Sequence, residues 1–356
     1  MAVSNWRLIF AICAAFLSGS AARADLQRFE YSAPKMGTVF DLIIWSPDQT
    51  TADDAADAAW QRVDQLNKIF SDYDPDSELN HLSRMTDKGP MAQGVPVSDD
   101  MWAVLLYAID AAKRSDGTFD ITVGPLTHLQ RKTRNEAKLP DPQKLKEAME
   151  CVGWRYIKMD ERHHTVQLLH AGMQFDVGGI AKGYTSDQVI KLLAKRGLGQ
   201  CLCGAAGDIA AGDPPPGRQE WRVAIQSLKN PEQMSDYVRI RSYGISTSGD
   251  TYRSAEVNGK RYSHIIDPRT GLGLTSRIGV TTVAPHGVIS DWTGTAISIL
   301  GPEKGLEMIE KIDGAAARIV TIDEQGNEKV YESQRFAQFL VSRNELTSGA
   351  ATNPVH

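Results

Sequence analysis

The chain has 356 residues, of which 42% are hydrophobic and 23% are charged, and its formal net charge is −5 at pH 7. That length and composition can supply a full hydrophobic core for one large domain or two modest ones. The mild acidity, with no basic stripe in the sequence, argues against a nucleic-acid-binding surface.

The amino terminus predicts an export signal. Arg7 precedes an uninterrupted apolar run at residues 8–17 (LIFAICAAFL), and Ala22-Arg23-Ala24 has the A-x-A pattern of a cleavage site. The apolar run is shorter than the roughly 20 residues that a membrane-spanning helix needs, so a signal peptide over residues 1–24 is favoured over an uncleaved anchor. We therefore expect a soluble mature protein that is exported to the periplasm.

Strand and helix patterns alternate in the first half of the mature chain. Residues 29–45 alternate apolar and polar side chains, which predicts strands. Amphipathic helices are predicted to open at Thr51 and after Ser98, which is suited to cap a helix. Residues 118–126 are expected to form a strand and a turn, and residues 130–148 a loop before a short helix.

Strand patterns dominate the second half. Strands are predicted at residues 156–169 and 317–332 (two hairpins), 201–211, 222–226, 237–245 and 279–284. Helices are predicted at residues 185–196, 290–299 and 303–312. This order of elements predicts an α+β fold with mixed or antiparallel sheets and packed helices, forming a single catalytic unit over residues 25–342. Residues 343–356 are predicted to be a disordered tail.

Three cysteines follow the predicted signal: Cys151, Cys201 and Cys203. An odd number of cysteines argues against a disulfide framework. Cys201 and Cys203 alternate along a strand pattern and therefore share one face. Because no histidine or further cysteine accompanies them, buried small hydrophobes are favoured over a metal site.

The greatest concentration of reactive side chains lies at residues 246–271 (STSGDTYRSAEVNGKRYSHIIDPRTG). Its small hydroxyls, glycines and paired charges suit phosphate chemistry better than core packing. His264 ends a strand pattern just before the turn that contains Asp267 and Arg269. A lone histidine is more often structural, but at this position His264 is a candidate general base.

Residues 176–184 (DVGGIAKGY) place paired glycines, Gly178 and Gly179, at a junction between strand and helix. Such a junction lets the backbone approach a ligand and presents helix N–H groups to an anion. The pattern is neither GxGxxG nor GxxxxGK[ST], and a structural tight turn fits it equally well. Lys182 tilts the interpretation towards an anion site.

Asp291 and Thr295 lie four residues apart at the start of a predicted helix, so they share a face. A ligand set of oxygens alone favours Mg²⁺ or another hard cation over zinc. The alternative is an acidic residue at a helix start beside a buried threonine.

Asp120 lies between apolar neighbours in residues 119–126 (FDITVGPL). An isolated buried charge is costly, so we expect this carboxylate to have a polar partner.

Together these motifs resemble the ApbE family, the FAD:protein FMN transferases. The matching segments follow the family's order over roughly residues 30–340. They are residues 36–38 (MGT), 71–82 (SDYDPDSELNHL), 119–126, 176–184, 246–250 (STSGD), 264–271 (HIIDPRTG) and 290–301 (SDWTGTAISILG). The chain departs from the family at Thr251, where an aromatic residue is usual. The resemblance implies a T-fold-like α+β architecture that binds FAD in a cleft, with Mg²⁺ at the pyrophosphate.

The resemblance also implies roles for individual residues. Asp291 and Thr295 match metal ligands through their side chains, and Ala181 matches one through its carbonyl oxygen. His264, oriented by Asp267, matches the histidine that activates the acceptor hydroxyl. Positions that match flavin- or adenosine-contact motifs, with the paired glycines, are Met36, Tyr73, Glu78, Asp120, Gly178, Gly179, Lys182, Asp187, Ser246, Thr247, Asp250 and Arg253.

The implied reaction is the Mg²⁺-dependent transfer of the FMN moiety of FAD to a Thr or Ser hydroxyl of an exported flavoprotein, with release of AMP. The implied acceptors are exported domains of membrane redox complexes of the Na⁺-pumping NADH:quinone oxidoreductase (Nqr), Rnf or NosR type. One alternative is an Mg²⁺-dependent FAD pyrophosphatase that gives FMN and AMP. Another is a non-catalytic periplasmic flavin-binding protein, against which the presence of His264, Asp291 and Thr295 argues.

The tail carries a sequence similar to the acceptor motif of such substrates. Residues 347–352 (TSGAAT) approximate (S/T)-G-A-T with one additional alanine. A disordered tail is favoured over self-flavinylation at Thr352.

Overall fold

The computed structural model describes residues 25–230, 233–249 and 254–342. The signal peptide predicted at residues 1–24 and the tail predicted at residues 343–356 lie outside the described residues. Among the described helices, none combines the length and the apolar character that a membrane span requires.

The helix cap predicted at Ser98 is confirmed, whereas the helix predicted to open at Thr51 begins earlier, at Gln49. Asp48 accepts a hydrogen bond from the Thr51 N–H, and Ser98 accepts one from the Met101 N–H, each satisfying a donor that the first helical turn leaves open. The described helices are α1 (Gln49–Phe70), α2 (Glu78–Arg84), α3 (Asp99–Arg114), α4 (Gly124–Glu136), α5 (Pro142–Glu150), α6 (Ala181–Lys195) and α7 (Gly287–Glu310), with 3₁₀ turns at Trp154–Tyr156 and Phe336–Phe339.

The strands pair in an antiparallel manner throughout the described sheets. The strands are β1 (Gln27–Lys35), β2 (Thr38–Ser46), β3 (Val95–Pro96), β4 (Ile157–Asp160), β5 (Thr165–Leu168), β6 (Cys201–Ala205), β7 (Asp208–Ala211), β8 (Trp221–Gln226), β9 (Met234–Ile240), β10 (Gly244–Gly249), β11 (Ser254–Val257), β12 (Lys260–Ser263), β13 (Ile266–Asp267), β14 (Leu272–Gly273), β15 (Arg277–Ala284), β16 (Ala316–Ile322) and β17 (Glu328–Glu332).

The main sheet has eight strands in the order β1-β2-β6-β7-β10-β15-β16-β17. Alternate residues of β2 enter different cores: Leu42 and Ile44 pack with α1 and α6, whereas Ile43 packs with β8 and β9 on the other face. Cys201 and Cys203 lie buried in the first of these cores, which confirms the prediction of buried small hydrophobes. Helix α7 covers β10 and β15. The α+β expectation is confirmed.

The structure corrects the prediction for residues 118–126. These residues form a bend and then enter α4 rather than continuing as a strand. Pro125 lies in the first turn of α4, where its missing N–H removes no helical hydrogen bond and its fixed φ suits the helix. Because α4 has no side-chain cap and a largely polar sequence, its continuation to Glu136 leaves a weak signal in the sequence.

Two strand patterns each divide into two strands. Ala206 and Gly207 both have positive φ and turn β6 back onto β7. Ser242 also has positive φ and separates β9, which pairs with β8, from β10, which joins the main sheet. The patterns at residues 201–211 and 237–245 do not reveal these turns, because alternation of apolar side chains carries no information on φ.

Helices α6 and α7 begin earlier than the apolar pattern predicts. Their first residues are Ala181 and Gly287, before the predicted starts at residues 185 and 290. Helix α7 also continues across a kink at Gly301, where φ is 77° and ψ is −179°, so two predicted helices are one kinked element. The early starts matter because they place the first turns of both helices beside β10.

Glycines set the short distances between α6, α7 and β10. A Cβ added at Gly183 would lie 2.2 Å from the carbonyl oxygen of Gly287. A Cβ added at Gly244 would lie 2.5 Å from the Gly287 backbone. Backbone contacts this close leave no room for a methyl group, so the two helix starts touch only because these residues are glycine.

We expect Gly183→Ala to lower the free energy of unfolding by about 2–3 kcal/mol, since the new methyl group must force the backbones apart. The matched control is Gly279→Ala in β15, where the nearest atom to an added Cβ is a Leu228 methyl at 3.3 Å, and where we expect a change of under about 1 kcal/mol. Denaturant unfolding of both variants measures the difference. Equal effects would contradict the close-packing role of Gly183.

Candidate active site

One cleft of about 1260 Å³ collects residues that are distant in the sequence. It lies where the starts of α6 and α7 meet β7 and β10, and the loops before α2 and α4 close its sides. Of the residues predicted from the sequence, those in its lining are Met36, Tyr73, Asp120, Gly178, Gly179, Ala181, Lys182, Ser246, Thr247, His264, Asp291 and Thr295. Asp250 and Arg253 lie outside the described residues.

Asp291 is one of the buried polar residues of the cleft. It lies in the first turns of α7 and is 4% exposed, and its Oδ2 accepts a hydrogen bond of 2.9 Å from the Gly183 N–H. Burial, followed by the charge of Asp208, raises the pKa of the Asp291 carboxyl. Thr295 lies one helical turn further on, and its hydroxyl oxygen is 3.0 Å from the position that a Cβ at residue 179 would take. Gly179 therefore lets α6 and the Thr295 hydroxyl meet.

Asp208 is a second buried carboxylate beside Asp291, and the sequence patterns did not single it out. It lies at the start of β7 and accepts a hydrogen bond from the Ser246 hydroxyl. Its Oδ2 also forms an ion pair with Lys182 Nζ at 2.9 Å. The same ammonium group lies 3.6 Å from Asp291 Oδ1. The sequence feature that could have identified Asp208 is its position inside the apolar run at residues 201–211, because a buried carboxylate needs a polar partner, as argued for Asp120.

The chemistry of these donors fits a hard divalent cation. Asp291, Asp208, the Thr295 hydroxyl and the backbone at Ala181 offer oxygen atoms only, which is the set that Mg²⁺ prefers. Across residues 25–230, 233–249 and 254–342, no three His, Cys, Asp or Glu residues converge as a metal cluster. A cation here would therefore be held by at most two carboxylates, with the rest of its ligands from hydroxyl, carbonyl, substrate or water oxygens.

The charges that line the cleft also favour a cation with an anionic substrate. The described acidic residues of the lining outnumber the described basic ones. The acidic residues are Asp72, Asp120, Asp176, Asp208 and Asp291, and the basic residues are Arg131, Arg134 and Lys182. A pyrophosphate brought into this surrounding would be repelled unless a cation entered with it.

A rim of aromatic and basic groups lies at one end of the cleft. Tyr73 is 74% exposed, and the guanidinium of Arg131 lies 4.2 Å from the centre of its ring. Arg131 also pairs with Asp72. An exposed tyrosine held flat by an arginine offers an open aromatic face to a ligand ring. Arg131 was not identified from the sequence because it lies in the part of α4 that the pattern predicts to be a loop.

Asp120 has the polar partners that were expected. Its Oδ1 accepts from the backbone N–H and the hydroxyl of Thr122, and its Oδ2 accepts from the Trp154 N–H at 2.9 Å. Burial raises its pKa, and the hydrogen bonds from Thr122 oppose that shift. Asp120 thus fastens the bend before α4 to the 3₁₀ turn at Trp154–Tyr156 while lining the cleft.

Ser246 and Thr247 line the cleft from β10. Ser246 is buried and donates to Asp208, and the Thr247 N–H donates to the Gly207 carbonyl at 3.1 Å. A Cβ at Gly294 of α7 would lie 3.1 Å from the Ser248 side chain, so a glycine also permits α7 to lie close to this strand. The opening half of residues 246–271 therefore joins the cleft directly.

The structure pairs the carboxylate of Asp267 with Arg269, while the orientation of His264 by Asp267 stays a prediction. His264 lines the cleft, whereas the carboxylate of Asp267 accepts from the Arg269 backbone N–H and from its guanidinium, at 2.9 Å and 2.7 Å. These bonds engage both carboxylate oxygens, and together with the bonds from the Thr270 and Gly271 N–H groups to the Asp267 carbonyl they hold the turn after β13. Two residues of separation in an Asp-Pro-Arg turn favour this local ring over a reach back to His264.

Glu78 and Asp187 are not among the residues that line the cleft, and their contact with the ligand stays a prediction. The carboxylate of Glu78 accepts from the Ser98 N–H at 2.7 Å and from the Ser98 hydroxyl at 2.6 Å, so it holds the start of α3. Asp187 accepts from the N–H groups of Gly287 and Val288 at 2.7 Å and 2.9 Å, so it caps α7 from α6. Both residues position elements that carry the site.

The cap at Asp187 leads to a pH prediction. Burial raises its pKa from 3.8 to about 6, against the effect of the two backbone hydrogen bonds. A carboxyl group with a raised folded pKa stabilises the fold below its unfolded pKa, and that contribution is lost as pH rises through about 6. The stability of the wild type relative to Asp187→Asn should therefore fall by about 1–2 kcal/mol between pH 4 and pH 7, a value reduced for partial exposure.

Denaturant unfolding of both proteins at several pH values measures this difference, and other titrating groups cancel because both proteins share them. Asparagine is a good helix cap, so the variant keeps the start of α7. A relative stability that rises with pH would show that the hydrogen bonds, not burial, dominate at Asp187.

Comparisons with known proteins agree with this geometry. The sequence model of the protein family described as "ApbE family" matches residues 36–319 of this chain. An FAD:protein FMN transferase of Treponema pallidum is 30% identical over 337 residues, covering 90% of this chain and 92% of the relative. One from Salmonella typhimurium is 29% identical over 313 residues, covering 86% and 88%. The solved structure of a mutant of flavin transferase ApbE from Vibrio cholerae aligns with a TM-score of 0.77 at 26% identity, covering 88% of this chain and 100% of that one.

Proposed function

The chain belongs to the ApbE family, and from that premise we propose that it transfers the FMN moiety of FAD to a Thr or Ser hydroxyl of another protein. The proposed reaction is Mg²⁺-dependent and releases AMP. The relatives named FAD:protein FMN transferase support flavin transfer in general. The metal, the hydroxyl acceptor and the location of that acceptor are parts of the proposal.

One observation carries the proposal most directly. Four parts of the chain place an imidazole, two buried carboxylates and glycine-lined backbone in a single cleft large enough for a dinucleotide. They contribute Gly178, Gly179, Ala181 and Lys182, then Asp208, then Ser246, Thr247 and His264, and finally Asp291 with Thr295. Phosphoryl transfer depends on positioning and on charge neutralisation, and these groups supply both.

The bond changes follow from the positions of these groups. The acceptor hydroxyl oxygen attacks the phosphorus of the FMN half of FAD, a new P–O bond forms, and the bond to the bridging oxygen breaks. AMP leaves with that oxygen, and His264 accepts the proton of the attacking hydroxyl. Tyr73 and Met36 also line the cleft, and we propose that they contact the flavin ring system.

Asp291, Thr295 and the Ala181 carbonyl are the groups proposed to hold Mg²⁺, with Asp208 nearby. A bound Mg²⁺ would neutralise the pyrophosphate and the charge that develops on departing AMP. The acidic lining supports this requirement, since the described basic residues alone do not balance a dianionic substrate and five lining carboxyl groups.

We also propose that the protein acts after export, on exported domains of membrane redox complexes of the Nqr, Rnf or NosR type. Support comes from the apolar run at residues 8–17 and the A-x-A pattern ending at Ala24. Both lie outside the described residues, so cell fractionation of the full chain is the appropriate test. An unprocessed protein in the cytoplasm would contradict this part of the proposal.

The FAD pyrophosphatase alternative uses the same cleft, with water in place of the protein hydroxyl. AMP release from FAD distinguishes the two activities when it is measured with an acceptor domain and with the same domain carrying Ala at the acceptor Thr or Ser. The proposal predicts that AMP release requires Mg²⁺ and the hydroxyl. Equal release with both domains would favour hydrolysis, and no release under any condition would favour a flavin carrier.

A further inference from the structure

Lys182 occupies an unusual position for a cation. It is the second residue of α6, where the helix dipole disfavours positive charge. Its side chain nevertheless turns into the cleft, and Nζ donates to the Gly178 carbonyl at 2.9 Å. Such a position needs a compensating interaction, which Asp208 and Asp291 supply.

The carboxylates of Asp208 and Asp291 require a nearby cation because both are buried. Asp208 is 5% exposed and Asp291 is 4% exposed, and burial of two neighbouring carboxylates without a counter-charge is strongly unfavourable. Lys182 Nζ lies 2.9 Å from Asp208 Oδ2 and 3.6 Å from Asp291 Oδ1, so one ammonium group lies beside both carboxylates and offsets one negative charge. The protein thus carries its own cation at the position where the proposed metal ligands meet.

Lys182 Nζ lies closer to Asp208 than to Asp291, and this difference indicates which carboxylate a metal ion would bind in its place. The shorter contact is to Asp208, which lies on β7 and is held by the Ser246 hydroxyl. The longer contact is to Asp291, the carboxylate proposed as a metal ligand. A divalent cation could therefore take over Asp291 while Lys182 keeps its partner on β7.

We propose that Lys182 is a tethered counter-ion for the metal-free site, which Mg²⁺ displaces from Asp291, and that Asp208 is the positioning residue that retains the displaced ammonium. The inference rests on the metal component of the proposed function. It explains why a lysine stands at a helix start beside metal ligands, where it would otherwise repel the metal. Asp291 would exchange its ammonium contact for coordination to Mg²⁺, and no covalent bond is made or broken.

The test is the affinity for Mg²⁺ alone, measured by calorimetry without FAD or acceptor, for the wild type, Lys182→Met and Lys182→Arg. Methionine keeps the unbranched stem and removes the charge. We expect Lys182→Met to bind Mg²⁺ at least about tenfold more tightly, because no internal cation has to be displaced. Lys182→Arg should stay near the wild type. Unchanged or weaker binding by Lys182→Met, or no binding by any of the proteins, would overturn the proposal.

Thermal unfolding without metal supplies the second readout and controls for folding. Without Mg²⁺, Lys182→Met should unfold at a lower temperature than the wild type. Saturating Mg²⁺ should raise the unfolding temperature of Lys182→Met more than that of the wild type. A variant that is destabilised equally with and without Mg²⁺ would indicate a packing role only and would contradict the exchange.

Asp208→Asn tests the retaining role. Without Asp208, Lys182 is drawn to Asp291 and competes more strongly with Mg²⁺, so the Asp208→Asn protein should bind the metal about tenfold more weakly. Lys182→Met should then improve Mg²⁺ binding more in the Asp208→Asn protein than in the wild type. An equal or smaller improvement would remove the retaining role from Asp208.

These measurements separate the inference from the proposed function. FMN transfer can fail for want of the correct acceptor while Lys182→Met still tightens Mg²⁺ binding. Conversely, FMN transfer can proceed normally while Lys182→Met binds Mg²⁺ with unchanged affinity. That outcome would contradict only the counter-ion role of Lys182.

Discussion

Asp291→Asn should lower the rate of FMN transfer by about 10³-fold or more, equivalent to about 4 kcal/mol in the activation free energy. The asparagine keeps an oxygen that can accept from the Gly183 N–H, so the packing of α7 against α6 should persist. What the variant loses is the negative charge that is proposed to hold Mg²⁺. Initial rates of AMP release and acceptor labelling across a Mg²⁺ titration measure the loss.

The matched control on the same helix is Ser298→Ala. The Ser298 hydroxyl donates to the Gly294 carbonyl within α7, and Ser298 does not line the cleft. We therefore expect Ser298→Ala to transfer FMN at a rate within about threefold of the wild type. The Asp291→Asn protein should also need more Mg²⁺ for half-maximal activity. An unchanged Mg²⁺ requirement in that variant would remove Asp291 from the metal site.

His264→Ala should cost about 10²–10⁴-fold in transfer rate, which is the typical contribution of a general base. FAD binding should change little, because the proposed role of His264 begins only when the acceptor hydroxyl arrives. Single-turnover transfer together with FAD titration separates these two effects. A variant that transfers FMN at nearly the wild-type rate would exclude His264 from proton transfer.

Asp267→Asn is the informative companion of His264→Ala. The Asp267 carboxylate bonds to Arg269, so its loss should mainly loosen the turn after β13 and lower the rate by less than about tenfold. A loss as severe as that of His264→Ala would restore the role predicted from the sequence, in which Asp267 orients the histidine.

The sequence predicts best those relations that are local. Asp291 and Thr295 could be paired because residues four apart on a helix share a face. The alternation at residues 29–45 predicted strands, and β1 and β2 lie there. Each of these conclusions needs only the geometry of one element and no knowledge of its neighbours.

The sequence predicts poorly those relations that depend on how elements pack. Glu78 and Asp187 lie in segments that match ligand-contact motifs, but their carboxylates point to the starts of α3 and α7. The counter-ion contacts of Lys182 join β7, α6 and α7 across 26 and 109 residues of sequence. No periodicity in a single segment encodes such contacts, and Asp208 is therefore not among the site residues predicted from the sequence.

Glycine contacts are a second source of error, and they have consequences for the site. The sequence pattern predicts ligand approach only at Gly178 and Gly179, whereas Gly183 and Gly287 are the glycines that bring two helix starts together. This contact places the Asp291 carboxylate on the backbone of α6. The metal ligands proposed at Ala181 and Asp291 become neighbours only through that packing.

The most direct test of the central claim is the intact mass of an acceptor domain after incubation with the enzyme, FAD and Mg²⁺, followed by peptide mapping. The account predicts one FMN phosphoester on a Thr or Ser of the acceptor, with AMP formed in equal amount. The label should be absent when Asp291→Asn replaces the wild-type enzyme. An acceptor that stays unmodified while free FMN and AMP accumulate would contradict FMN transfer and establish hydrolysis in its place.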